Sequence, residues 1–232
     1  MKTPAQMRKN LFPLMMKLEE QRVVVVGGGT IAERKVQSLL ECGAAITIVS
    51  PRLKGSLNQL AAEGHLIHHA RTYQPGDLTG AVLAIVAINN KEAGKTIAED
   101  AKRANIPVNV VDRPELCTFI VPAVLRRGHL TMAVSTGGAS PAWARHIKRH
   151  LGAEYGEEFT RLFDTLASLR QALMHEIDDP ALRREILLKL ADDSILELTR
   201  SLPADELEPA LRKLISEWTR GESAAEDTDG RA

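Results

Sequence analysis

Residues 22–35 read R-V-V-V-V-G-G-G-T-I-A-E-R-K, and this stretch decides the fold. Four consecutive valines, Val23 to Val26, make an unbroken β-branched run. That pattern suits a strand buried on both faces of a parallel sheet. Gly27, Gly28 and Gly29 follow at once, and beyond them Ile31, Ala32, Val36, Leu39 and Leu40 recur at helical spacing. The order is therefore strand, tight glycine turn, helix. Gly27, Gly29 and Ala32 fall on G-x-G-x-x-A, the dinucleotide-binding pattern with alanine in the last place. Gly27 permits the sharp turn, Gly29 lets a pyrophosphate approach the backbone, and Ala32 lets the helix pack closely on the strand. The phosphates would sit at the helix N-terminus, where free N–H groups and the positive dipole end face them. The competing reading is a glycine turn that only packs a helix against a sheet.

Outward from this unit, strands alternate with helices. Ala45–Val49, His65–Ala70, Ala81–Ala87 and Pro107–Val111 read as further strands, and Leu53–Glu63 and Lys91–Asn105 as helices, with Gly43 and Gly64 as helix ends. The expected fold is α/β, a Rossmann-like doubly wound parallel sheet. Phe12 to Lys17 would lead into it as a short extended segment. A nucleotide on its carboxyl edge would meet Gly27, Gly28, Gly29, Thr30, Ile31, Ser50, Pro51, Ala87, Asn89 and Val111. At the end of the second strand such folds place an acid for the ribose 2′-hydroxyl, about 20 residues past the glycines. This chain has Ser50-Pro51-Arg52 there. Ser50 suits a ribose and Arg52 a 2′-phosphate, so NAD and NADP both stay open.

After Pro114 the pattern changes. Thr118–Val124 and His129–Ser135 read as an antiparallel hairpin across Leu125-Arg126-Arg127-Gly128. S-T-G-G-A-S-P follows at 135–141, with Ser140 as N-cap and Pro141 in the first helical position. That helix carries Trp143, Ala144, Ile147 and Leu151 on one side. Four more helices are expected, Tyr155–His175, Pro180–Leu190, Asp193–Leu202 and Pro203–Trp218, before a polar, disordered tail. The expected division is 1–112 for the nucleotide domain, 113–150 for a small α+β segment, 151–220 for a helical domain and 221–232 for the tail.

Composition narrows the function. The 232 residues are 44% hydrophobic and 26% charged, as in ordinary globular proteins. No apolar run approaches the roughly 20 residues a membrane span needs, and Phe12 to Leu18 is too interrupted for a signal-peptide core. Two cysteines, Cys42 and Cys117, give neither a disulfide framework nor a metal clip. A cytoplasmic setting follows. The zero net charge hides an asymmetry: residues 1–150 carry 20 Lys/Arg against 11 Asp/Glu, and residues 151–232 carry 10 against 19. A basic front half suits an anionic ligand. Aromatics at 3% leave few stacking platforms, which argues against nucleic acid.

Three groups carry candidate chemistry. Asp112 stands at the carboxyl end of the fifth strand, where a carboxylate can act as general base, or can simply cap the Pro114 turn. The Ser135–Ser140 loop joins hydroxyls, two glycines and a helix N-terminus into an anion cradle, or merely caps its helix. Among the histidines, His68 and His69 point to opposite faces of one strand. His146 and His150 lie one helical turn apart without a local acidic or cysteine partner, which favours a surface pair over a metal site. His129 has no assigned part.

Three motifs then carry a resemblance: V-V-V-V-G-G-G-T-I-A-E-R-K; N-V-V-D at 109–112 with C-T-F-I-V-P-A at 117–123; and A-V-S-T-G-G-A-S-P-A-W-A-R at 133–145. In this order and spacing, over roughly residues 10 to 220, the chain resembles the precorrin-2 dehydrogenase and sirohydrochlorin ferrochelatase family, including the N-terminal half of siroheme synthase. The resemblance implies NAD⁺-dependent oxidation of precorrin-2 to sirohydrochlorin, with ferrous iron insertion in some members. It implies Asp112 as the catalytic residue, the tetrapyrrole beside Ser135, Thr136, Gly137, Gly138 and Ser140, and a homodimer formed through about 113–150. Arg113, Arg126, Arg127 and Arg145 are the expected clamps for the substrate's carboxylates. Departures are Asn89-Asn90 and His129, where members often carry acids, and Thr136 in place of a serine. With no methyltransferase half, the chain is not expected to make precorrin-2. The alternatives are a chelatase without oxidation and a nucleotide-sensing module without catalysis.

Overall fold

The computed structural model describes residues 11–229, with side chains described through residue 220. The chain divides into two compact units, one ending at Val121 and the other beginning at Pro122.

The first unit is built on β1 (Arg22–Val26), β2 (Ala45–Val49), β3 (Leu66–His69), β4 (Leu83–Val86) and β5 (Val108–Val110). All pair in parallel in the order β3-β2-β1-β4-β5. Because successive strand residues face opposite sides, the four valines feed two cores. Val23 and Val25 pack with Val36 and Leu39 of α1 (Thr30–Leu40) and with Leu57 of α2 (Leu57–Ala62). Val24 and Val26 pack with Ile97, Ala98 and Ala101 of α3 (Lys91–Arg103). Helices on both faces explain why Val23 to Val26 of the strand carry no polar residue.

The second unit holds an antiparallel hairpin, β6 (Ala123–Arg127) and β7 (Leu130–Val134), and α4 (Pro141–Glu154). Four helices follow: α5 (Glu158–Glu176), α6 (Pro180–Lys189), α7 (Asp193–Ser201) and α8 (Ala204–Asp229). Their core is Leu162, Leu169, Leu173, Ile186, Leu190, Ile195, Leu207, Leu211 and Ile215. Arg161 donates to the carbonyls of Thr199 (2.9 Å) and Leu202 (3.0 Å), joining α5 to the end of α7. No helix among the described residues is long and apolar enough to cross a membrane.

Residues 12–17 lie outside any strand and are exposed, and Leu18 enters the core ahead of β1. Four expectations need correction. The helix expected from Leu53 starts at Leu57, because Gly55 sits in the left-handed region (φ +57°), which an α-helix cannot pass. The hairpin's first strand is Ala123–Arg127, so Leu125, Arg126 and Arg127 lie in the strand and Gly128-His129 make the turn. Residues 113–121 belong with the sheet rather than with a separate 113–150 segment. Thr118 exchanges hydrogen bonds with Val108, and Asn109 Nδ2 donates to the Phe119 carbonyl, so this segment covers the open edge of β5. Finally, α8 continues to Asp229 where a disordered tail was expected, since lengthening a helix needs no new nucleus. Residues 230–232 of that expected tail lie outside the described residues.

Candidate functional site

The sheet order reverses between β1 and β4, which opens a crevice at the strands' carboxyl ends. Gly27 turns there at φ +117°, its N–H still bonded to the Val49 carbonyl at 2.9 Å. A Cβ on Gly27 would lie 2.2 Å from the Ala87 carbonyl oxygen, and one on Gly28 would lie 2.2 Å from that of Arg52. A Cβ on Gly29 would meet nothing within 4 Å. The first two glycines thus serve the protein's own packing, and the third borders open space. Gly29 is the N-cap of α1 and provides no side-chain cap, which leaves first-turn N–H groups to an anion. The acid of that turn, Glu33, faces away: its carboxylate accepts from Ser56 Oγ (2.7 Å) and Ser56 N (2.6 Å), which hold it below the ordinary carboxylate range.

Beside the glycine turn lies a cavity of about 420 Å³, within the range of small-molecule sites. Of the expected residues, Gly27, Ser50 and Pro51 line it. Ile88 and Asn90 line it where Ala87 and Asn89 were expected, and Thr30, Ile31 and Val111 are not among its walls. Thr72, Tyr73, Pro75, Ala93 and Thr96 also line it and were not anticipated. The 71–75 segment carries no motif, and only the strand order brings it to this edge.

That segment is fastened by two acids. Asp77 is buried and accepts from Arg71 Nη2 (2.6 Å) and Nη1 (2.7 Å) and from Gln74 N (2.8 Å). Asp100 on α3 accepts from the Tyr73 hydroxyl at 2.9 Å. Burial and that bond push the Tyr73 hydroxyl's pKa upward, so it stays protonated and donating. The Arg71 guanidinium holds the Asp77 carboxyl below its ordinary range. A carboxyl whose folded pKa is lowered adds stability above its unfolded value of about 4 and loses it as pH falls through the lower folded value. Asp77→Asn should therefore destabilise the protein at pH 7 by about 1–3 kcal/mol. The gap from wild type should narrow on acidification below about pH 4. Urea unfolding at pH 7 and pH 3 measures this, and equal gaps at both would refute it.

Asp112 stands exposed past β5 in the left-handed region, φ +58°. Its turn is closed by Arg113 N to the Val110 carbonyl at 3.1 Å. Cys117 braces it: Sγ accepts from Val110 N at 3.2 Å and donates toward the carbonyls of Val110 and Arg113, each at 3.3 Å. This gives the C-T-F motif a physical task, holding the turn that presents the carboxylate.

In the second unit, the Ser135–Ser140 loop caps itself. Ser135 Oγ accepts from Gly137 N (3.1 Å), Thr136 Oγ1 from Ser140 N (3.0 Å) and Ser140 Oγ from Trp143 N (3.2 Å). Each hydroxyl, having accepted, keeps its own hydrogen to donate, which is what a carboxylate ligand needs. Gly138 is exposed beside them.

The four expected arginines differ. Arg145 is exposed and makes no ion pair among the described residues. Arg126 is exposed and has a partner of its own. Arg113 is paired with Glu115. Arg127 donates to the carbonyls of Tyr155 (3.0 Å) and Gly152 (3.4 Å), so it ties β6 to the C-terminal end of α4. The histidines hold no metal cluster: no group of three or more His, Cys, Asp or Glu suited to a metal occurs among the described residues. His68 Nε2 meets the Ser50 carbonyl at 2.8 Å, and His146 and His150 meet each other, Nε2 to Nε2, at 2.9 Å.

Residues 14–123 match a family model described as NAD(P)-binding, and residues 127–154 match one described as the central part of sirohaem biosynthesis proteins. The chain is 42% identical over 173 residues to the siroheme synthase of Methylobacillus flagellatus, covering 75% of this chain and 37% of that protein. It is 37% identical over 193 residues to that of Nitrosospira multiformis, covering 82% and 41%. The chain thus spans about two fifths of the length of these curated relatives. The solved structure of SirC, a precorrin-2 dehydrogenase, matches with a TM-score of 0.71 at 29% identity, covering 89% of this chain and 100% of that one.

Proposed function

The chain is a relative of the siroheme synthases and of a precorrin-2 dehydrogenase, and on that premise we propose that it oxidises precorrin-2 to sirohydrochlorin with NAD⁺. The observation that carries this reading is the cavity against the glycine turn, on the same sheet edge that ends in the exposed Asp112. Oxidation removes a hydride and a proton from the tetrapyrrole. Bound NAD⁺ supplies the hydride acceptor. The open space at Gly29 and the uncapped start of α1 suit its pyrophosphate. Asp112, held by the Cys117-braced turn, takes the proton as general base. The hydroxyls of Ser135, Thr136 and Ser140, with Arg145, suit the substrate's carboxylates.

Ferrous iron insertion would use the same carboxylate to accept pyrrole protons as the metal enters. A homodimer is supported by α4, which leaves Trp143 60% and Ile147 40% exposed although its helical pattern groups them with buried Ala144. A second copy would cover them, and sedimentation should return a dimer. Cys42 and Cys117 form no disulfide, which fits a reducing cytoplasm. The test is absorbance spectroscopy of purified protein given precorrin-2 and NAD⁺, with and without Fe²⁺. NAD⁺-dependent appearance of sirohydrochlorin is expected. Binding of the tetrapyrrole without oxidation would leave a chelatase or a sensing module instead.

A further inference from the structure

We propose that His146 and His150 form a chelating pair on α4 for one divalent transition-metal ion of tetragonal preference, Ni²⁺ or Cu²⁺; the inference does not rest on the nucleotide reading. The spacing by itself reads as a surface pair, one helical turn apart. The structure adds that the two rings converge. His150 is exposed and His146 half-buried. Their Nε2 atoms stand 2.9 Å apart, with ring centroids at 4.4 Å. Two imidazole nitrogens bound about 2.0–2.1 Å from one ion at a right angle are about 2.9 Å apart, whereas a tetrahedral site sets them about 3.3 Å apart. The pair therefore already spans one edge of a tetragonal site, and water would fill the other positions.

In the metal-free chain a proton occupies that gap. Arg149 Nη2 lies 3.3 Å from His146 Nδ1, and a guanidinium can only donate, so Nδ1 accepts. His146 in turn carries its hydrogen on Nε2 and donates it to His150 Nε2. His150 thus already presents the bare Nε2 that a metal needs. His146 reaches the same form by moving its hydrogen to Nδ1, which sets one donor against another and displaces Arg149. Arg149 is consequently a brake on metal entry. With Arg145 and Lys148 it keeps the helix basic, so charge alone attracts no cation here. Selection falls to the imidazole nitrogens, which suit late transition metals and not Mg²⁺ or Ca²⁺. The pair borders the stripe of Trp143 and Ile147, and the Trp143 ring lies 4.9 Å from that of His146. A paramagnetic ion in the site would quench that indole's fluorescence.

Calorimetric titration of the tag-free full chain with Ni²⁺, and with Mg²⁺ as control, tests this. Ni²⁺ should bind and Mg²⁺ should not. His146→Ala and His150→Ala should each weaken Ni²⁺ binding at least tenfold and keep the helix, since Ala is the better helix former. Arg149→Ala should tighten it at least threefold. Ni²⁺ should also quench tryptophan fluorescence, and Trp143→Phe should remove that quench. Absence of Ni²⁺ binding would overturn the inference, as would a Ni²⁺ affinity that either histidine substitution lowers less than tenfold. A quench that survives Trp143→Phe, or an Arg149→Ala variant that binds Ni²⁺ no more tightly than wild type, would count equally against it. None of these results bears on the dehydrogenase reading.

Discussion

Asp112→Asn is expected to leave NAD⁺ affinity intact and to slow sirohydrochlorin formation by roughly 10²–10⁴-fold, the usual effect of losing a general base. Asparagine is the informative replacement because Asp112 occupies the left-handed region, φ +58°. Asn adopts that conformation readily, whereas most residues pay about 1–2 kcal/mol there. Alanine would confound a lost carboxylate with a disturbed turn, and that turn is what the Cys117 bonds maintain. Single-turnover absorbance with bound NAD⁺ measures the step. A rate within threefold of wild type would remove Asp112 from the chemistry and return it to the part of a turn residue.

The second large effect separates two adjacent glycines. Gly28→Ala should unfold the first unit several degrees earlier, because its Cβ would lie 2.2 Å from the Arg52 carbonyl oxygen and neither backbone can yield cheaply. Overpacking of this kind costs about 1–3 kcal/mol or more. Gly29→Asp should leave thermal stability nearly unchanged, since a Cβ there meets nothing within 4 Å and φ is −92°. It should nevertheless abolish nucleotide binding by setting a negative charge beside the pyrophosphate. Scanning calorimetry with a parallel NAD⁺ titration distinguishes the two. Retained NAD⁺ affinity in Gly29→Asp would move the phosphate site elsewhere.

These two residues also show where reading the chain stopped. The G-x-G-x-x-A spacing marks Gly27, Gly29 and Ala32, yet the tightest steric demand beyond Gly27 falls on Gly28. Its constraint is a carbonyl 24 positions away, and no local pattern encodes that approach. The walls contributed by Thr72, Tyr73 and Pro75 were hidden for the same reason. Arg127 is expected as a clamp because a polyacidic substrate suits an arginine fork, and only the structure shows that it also bonds the Tyr155 and Gly152 carbonyls.

The sequence by itself determined the alternation of strands and helices, the parallel sheet, the glycine turn, the N-cap of α4 and the presence of an acid after the fifth strand. Each depends on contacts within a few residues or on a period of hydrophobicity, and such information is local. The tertiary structure alone decided which carbonyls crowd the glycines, which acids and arginines neutralise one another, and which segments meet at the carboxyl edge. Those outcomes depend on strand order and on partners distant in the chain, where burial and charge pairing, rather than propensity, determine which groups remain free to bind.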